Sequence, residues 1–279
     1  MAGQFYDADP QALTESIEEC FLHRLGPGRK PPPDEPFEGI FGIVSPHAGY
    51  IYSGPIASHG YYVCSALREV DMVAILGPNH SGIGSGVATV SGGTWKTPLG
   101  DVEIDRDAAK EFVKASRLVD FDEDAHRHEH SIEVQLPFLQ YIFKKVFKIL
   151  PICMMMQDKE TAIEVGEALI NVVKGRKSLI IASSDFTHYE DQKIASSKDH
   201  ELINTILELN VDKHYETLER LNMSVCGYGP IAALMTAVKR LGDQEGKLLK
   251  YATSGDVTRD YSSVVGYASI IFTSRKATN

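Results

Sequence analysis

The chain has 279 residues, 43% of them hydrophobic, and a formal net charge of -10 at pH 7. That is enough apolar material to bury a large core as one domain. The acidic balance argues against a generic nucleic-acid or anionic-membrane surface, which needs clustered lysine and arginine, and no apolar stretch reaches the roughly 18 residues of a membrane span.

Helical spacing of Leu13, Ile17, Phe21 and Leu25 predicts a helix over residues 10–25, stopped by Gly26-Pro27-Gly28. The proline-rich stretch 30–36 reads as a surface connector. A buried strand is expected at 40–45, a helix over 54–67 and a second buried strand at 71–77. Residues 81–93 are glycine-rich and loop-like around a short strand at 87–90. A short strand at 102–104 and a helix over 106–116 follow. Residues 130–143 carry helical spacing, with Pro137 starting a new turn or a kink. A strand at 146–152, a helix over 159–174 and a strand at 178–183 make a β-α-β unit. Helices around 190–209, 213–221 and 229–241 precede two closing strands at 248–253 and 264–272. This alternation predicts an α/β fold, a single-domain three-layer α/β/α sandwich over 1–279 with a mainly parallel central sheet.

Cys20, Cys64, Cys153 and Cys226 are scattered, with no CxxC pair, and read as reduced thiols. With no signal peptide ahead of the first motif, a cytoplasmic location is the expectation.

Three of the apolar runs end in chemistry-bearing residues. Ile43-Val44-Ser45-Pro46 leads into His47, Ile75-Leu76-Gly77-Pro78-Asn79 into His80, and Ile181-Ala182-Ser183-Ser184 into Asp185, with His188 close behind. Ligands of open α/β sheets bind beyond the carboxyl ends of such strands. Either histidine alone reads as a loop residue bonded to backbone. Together they read as metal ligands, since the helix between their strands is expected to place those strands as parallel neighbours. A third ligand is needed, and Cys226 and Asp185 are the candidates. Cys226 lies in a glycine-rich turn before a helix, whose N-terminus favours thiolate; the alternative is a small buried thiol. Asp185 could equally cap a helix or pair with an imidazole.

The segment Asp124-Ala125-His126-Arg127-His128-Glu129-His130-Ser131-Ile132-Glu133 is the densest in ionisable groups. Chelation by His126, His128 and His130 together suits one face of a strand, and a helix starting here disfavours it. His130 and Glu133, a helical turn apart, share a face and make an acid/base or orienting pair, leaving His126 and His128 in solvent. His188 is a general acid/base beside a metal. His23, His59, His200 and His214 fall on predicted helices without partners and receive no role.

Pro46-His47-Ala48-Gly49-Tyr50, Leu76-Gly77-Pro78-Asn79-His80, Glu129-His130-Ser131-Ile132-Glu133-Val134-Gln135-Leu136-Pro137-Phe138, Ser183-Ser184-Asp185-Phe186-Thr187-His188 and Cys226-Gly227-Tyr228-Gly229-Pro230 resemble the Memo family (mediator of cell motility), in its prokaryotic branch. The opening Ala2-Gly3-Gln4-Phe5-Tyr6 is similar too, so the likeness runs from about residue 2 to about 272. The resemblance implies a fold shared with class III extradiol dioxygenases. It implies His47, His80 and Cys226 as metal ligands, with Asp185 and His188 lining the pocket and His188 in the place of the dioxygenases' acid/base histidine. A thiolate where those enzymes use a carboxylate puts ring cleavage in doubt and favours copper or zinc.

Three functions are therefore expected in turn. The first is a redox enzyme with iron or copper on His47, His80 and Cys226, and with His188, Asp185, His130 and Glu133 as its catalytic set. The second is a non-catalytic module that binds a small molecule or peptide, which the resemblance implies because animal members are implicated in signalling and their pocket is proposed to receive phosphotyrosine-type peptides. The third is a zinc-dependent hydrolase. The resemblance also implies an AMMECR-type protein and a radical S-adenosylmethionine protein as partners.

Overall fold

The computed structural model describes residues 1–33, 39–67, 69–143, 145–242 and 244–274. Part of the 30–36 connector lies outside them. In chain order the elements are α1 (Pro10–Leu22), β1 (Ile40–Ser45), α2 (Tyr50–Cys64), β2 (Met72–Pro78), β3 (Val87–Thr89), β4 (Thr94–Thr97), β5 (Gly100–Ile104) and α3 (Arg106–Ala115). Next come β6 (Val119–Phe121), α4 (Asp124–Arg127), a 3-10 turn (Glu133–Gln135), α5 (Leu136–Ile142), β7 (Lys148–Met154), α6 (Lys159–Val173) and β8 (Ser178–Ser183). The chain closes with β9 (His188–Glu190), α7 (Gln192–Leu207), α8 (Val211–Arg220), α9 (Tyr228–Arg240), β10 (Gln244–Thr253), α10 (Ser254–Thr258) and β11 (Val264–Ser274).

The strands form one mixed sheet, ordered β10-β11-β1-β8-β2-β7-β3-β6. Its centre, β1-β8-β2-β7, is parallel, while β10, β11 and β3 join antiparallel. The two sides of β2 show why three layers form. Met72, Ala74 and Leu76 pack into a core with α3, α6, α7 and α9. Val73 and Ile75, on the opposite face, pack with α1, α2 and α5. A strand buried on both faces reads as a continuous apolar run, and side chains alternate between the layers.

One expectation is corrected here: β1 and β2 are parallel but are not neighbours. β8 lies between them, paired in register with both. The histidine strands therefore flank the strand that leads into Asp185. The helix expected over 130–143 is also shorter. A loop and the 3-10 turn precede α5, with Pro137 in its first turn, where the missing N–H has no partner to lose. The strand expected at 102–104 is β5, whereas β4, β6 and β9 escaped the sequence reading because each is short and half exposed.

Buried histidines make the fold acid-sensitive. His214 on α8 is fully buried, and its Nε2 faces the Tyr228 carbonyl at 3.2 Å. That carbonyl can only accept, so Nε2 carries the proton and Nδ1 is left without a partner. Burial, ahead of that helpful hydrogen bond, pulls the His214 pKa to about 4. The unfolded chain takes up this proton near pH 6.5 and the folded chain resists until about 4. Stability is therefore lost as pH falls through that window and levels off below it, by at most about 3 kcal/mol for this group. His214→Gln should flatten this limb when urea unfolding is compared at pH 7 and pH 4. An unchanged pH dependence would contradict the assignment.

Candidate metal centre

His47 follows β1, Asp185 follows β8 and His80 follows β2, all at the carboxyl end of the parallel centre. His130 reaches the same point from the loop after α4. Ligand atoms of His47, His80 and His130 lie within 4.8 Å of one another, a group that could hold a metal ion. The rings of His80 and His130 stack at 4.7 Å, and the His47 ring meets both nearly edge-on at 5.2 and 5.3 Å.

Hydrogen bonds fix which nitrogens are free. His47 Nδ1 lies 2.8 Å from Ser183 Oγ. That hydroxyl donates to the Ser131 carbonyl at 2.6 Å and accepts from Gln135 Nε2 at 2.7 Å. Its one proton is thus committed to an acceptor-only oxygen, so His47 Nδ1 is the donor and Nε2 keeps its lone pair. His80 Nδ1 sits 3.0 Å from Glu129 Oε1. The Glu129 side chain is 1% exposed, against 36% for His80. Burial alone would raise the Glu129 pKa. Bonds from the His80 ring and from the Ser131 and His80 amides outweigh it and bring it to about 2. An ionised carboxylate only accepts, so His80 too presents Nε2.

Buried His47 and half-buried His130 both stay neutral. Burial first, then His130 and His80, holds His47 well below the ordinary histidine range. Burial outweighs Glu129 to pull His130 to about 4. Neutral imidazole is the metal-binding form, and this donor set fits a borderline transition-metal ion. Phe5 covers one face of His130, stacked at 4.3 Å. It also walls a cavity of about 870 Å³ between the N-terminal loop, α1 and α2.

Cys226 lies beside this group. Its Sγ is 3.2 Å from His47 Nε2 and accepts the Asp185 N–H at 3.2 Å. It stands just ahead of α9, whose N-cap is Gly227. A Cβ at Gly227 would press into the Ser183 carbonyl and the Ser184 side chain, so the close approach of this turn to β8 requires glycine. The helix terminus does not leave a thiolate in the metal-free chain. Burial, then the Asp185 carboxylate, pushes the thiol pKa up. A cation would have to displace that proton.

The sequence matches a profile of the Memo-like protein family over residues 1–271. The chain belongs to the Memo-like family. A MEMO1 family protein of Methanopyrus kandleri is 52% identical over 274 residues, covering 98% of this chain and 97% of its own. One from Methanocaldococcus jannaschii is 52% identical over 280 residues, covering 97% and 96%. One from Nitrosopumilus maritimus is 48% identical, covering 98% of each. Among solved structures, an uncharacterised Escherichia coli K12 protein superposes with a TM-score of 0.58 at 13% identity, over 83% of this chain and 99% of its own. That likeness concerns the fold.

The residues singled out in this Memo-like chain distribute as follows. His47 and His80 come together with His130, a ligand candidate in the place expected for Cys226, while the Cys226 sulfur meets His47 alone of the three imidazoles. Asp185 is buried with its pKa raised by burial, and its Oδ1 accepts the His47 amide at 2.9 Å and the Ala48 amide at 3.4 Å. It clamps the His47 turn to the Cys226 turn. His188 donates Nδ1–H to the Ser224 carbonyl at 2.7 Å, leaving Nε2 free. Glu133 accepts the Tyr6 hydroxyl at 2.5 Å, so the carboxylate that holds the histidines is Glu129. His126 is buried, not solvated; His128 is exposed. His59, His200 and His214 all have backbone carbonyl partners, and His23 caps the Leu25 amide. Glu129, Ser183 and Gln135 were missed as functional. The available signal was a carboxylate, a hydroxyl and an amide embedded in otherwise apolar or histidine-bearing motifs.

Proposed function

We propose that this Memo-like protein is a metal-dependent redox protein, with iron or copper held by His47, His80 and His130 and the Cys226 sulfur as a further donor. The observation that supports it is the pair of fixed Nε2 lone pairs converging with His130 beside a thiol. Imidazole suits copper, iron and zinc, and sulfur tilts the set towards copper. A bound ion of this kind would supply one-electron chemistry and polarise a coordinated substrate. The chain's own residues do the rest. Glu129 and Ser183 orient the imidazoles, and Asp185 holds the His47 and Cys226 turns together. His188, anchored through Nδ1, uses Nε2 to take or give a proton. Free cysteines throughout the described residues suit a reducing compartment, and the cytoplasm belongs to the same proposal. So do the AMMECR-type and radical S-adenosylmethionine partners.

A second reading, a binding module without turnover, draws on aromatic exposure near His188. Tyr189 is 78% exposed and Tyr52 41%, and both lie within electrostatic reach of Tyr267 together with Asp185. Anaerobic titration of tag-free apoprotein with ferrous, cuprous and zinc ions separates the readings. Cys226→Ser should weaken iron or copper binding at least about tenfold, and loading should confer oxygen uptake. Unchanged affinity would remove the sulfur from the donor set. Hydrolysis by the zinc form without oxygen would favour the hydrolase.

A further inference from the structure

A cavity of about 460 Å³ opens beside β4, away from the metal ligands, and is lined by Trp95, Ile104, Glu123, His126, Arg127 and Glu133. His126 is buried at 9% exposure, yet neither ring nitrogen meets a hydrogen-bond partner. A buried polar group in that condition calls for an occupant. The Ala88 carbonyl is near enough to favour an N–H on one side of the ring. A carbonyl only accepts, so the other nitrogen is a bare acceptor.

The surroundings of that nitrogen ask for a donor with positive charge. Glu123 and Glu133 line the cavity, Glu133 already meeting the Met1 ammonium at 3.0 Å, and the Asp122 and Glu129 carboxylates both favour positive charge at His126. Arg127 is paired with Asp124 on its own helix at 2.9 Å. The Trp95 ring stands against His126 at 5.8 Å and offers an aromatic face to a cation. Among the described residues, the three-histidine group is the set whose ligand atoms converge on one point. Glu123, His126 and Glu133 are spread too widely for a bare ion, and suit a planar group with several N–H donors.

We propose that this cavity binds a guanidinium group. Its forked donors can serve the imidazole nitrogen and a carboxylate at once while its plane lies on the indole. Guanidinium reaches such a site as a small metabolite or as an arginine side chain of a partner, and the chemistry is the same.

Trp95 is the chain's one tryptophan, so its emission reports on this cavity. The full-length protein is titrated with methylguanidinium and with N-acetylarginine amide, and with methylurea and methylammonium as comparators. Both guanidinium probes should shift the emission saturably, and both comparators should bind at least about tenfold more weakly. His126→Phe and Glu123→Gln should each weaken the guanidinium probes about tenfold. Glu123→Gln, at the cavity rim, should do so at an unchanged Tm, which covers the case of a misfolded His126→Phe. Tighter binding of the acetylarginine amide points to a partner's arginine, and equal binding to a small molecule. No saturable shift with either guanidinium, methylurea binding as well as methylguanidinium, or affinity unchanged in Glu123→Gln would each overturn the proposal.

Discussion

His130→Ala should lower metal affinity at least about a hundredfold. Loss of an orienting group around a ligand histidine costs 10- to 100-fold, and loss of a ligand costs no less. The substitution removes one of three imidazoles whose ligand atoms lie within 4.8 Å of one another. It leaves the Glu129 bonds to His80 in place, because those use the His80 ring and amide. Phe5, stacked on His130, would move into the space, so fluorescence-free calorimetric titration with ferrous and cuprous ions is the clean readout. Full retention of affinity would assign the third position to Cys226, as the family resemblance implies, and would return His130 to an acid/base role.

Glu129→Gln should weaken metal binding by about 10- to 100-fold with little change in shape. Glu129 accepts the His80 ring N–H, the His80 amide at 2.6 Å, and the His130 and Ser131 amides at 2.8 Å. A glutamine can replace some of these bonds. It cannot supply the charge that makes the His80 ring a better donor to a cation. Nor can its amide nitrogen face the N–H groups that the second carboxylate oxygen now receives. The variant should also lose thermal stability, because buried amides go unmet. Glu133→Gln is the control, since Glu133 faces the Tyr6 hydroxyl. Equal losses in both variants would mean that general acidity near the site, and not the Glu129 bonds, sets the affinity.

The parallel centre of the sheet was legible because its strands are buried on both faces and read as unbroken apolar runs between helices. The strand order was not. Nothing in Ile43-Val44-Ser45 or Ile75-Leu76 reveals that residues 178–183 insert between them, since parallel pairing is decided by three-dimensional packing of helices far apart in sequence. His47 and His80 stood out because imidazoles just past buried strands have few structural reasons to be there. His130 was given a supporting part because a helix was expected from residue 130. The loop that delivers it instead depends on Glu129 capping the His130 and Ser131 amides, a tertiary arrangement that spacing does not encode. The Ser183 and Gln135 contacts were invisible for the same reason: each joins segments about fifty residues or more apart. His126 looked solvent-exposed beside Arg127, and the contact with Trp95 on the β4-β5 hairpin is a tertiary one that spacing does not encode.

The central claim is that three histidines and a neighbouring thiol hold a redox metal. It is tested most directly by elemental analysis of tag-free protein purified anaerobically without chelator, side by side with His47→Ala. Near-stoichiometric iron or copper in the wild type, lost in the variant, is the predicted result. Metal absent from both, in protein that the Tm shows to be folded and that binds none on titration, would contradict it.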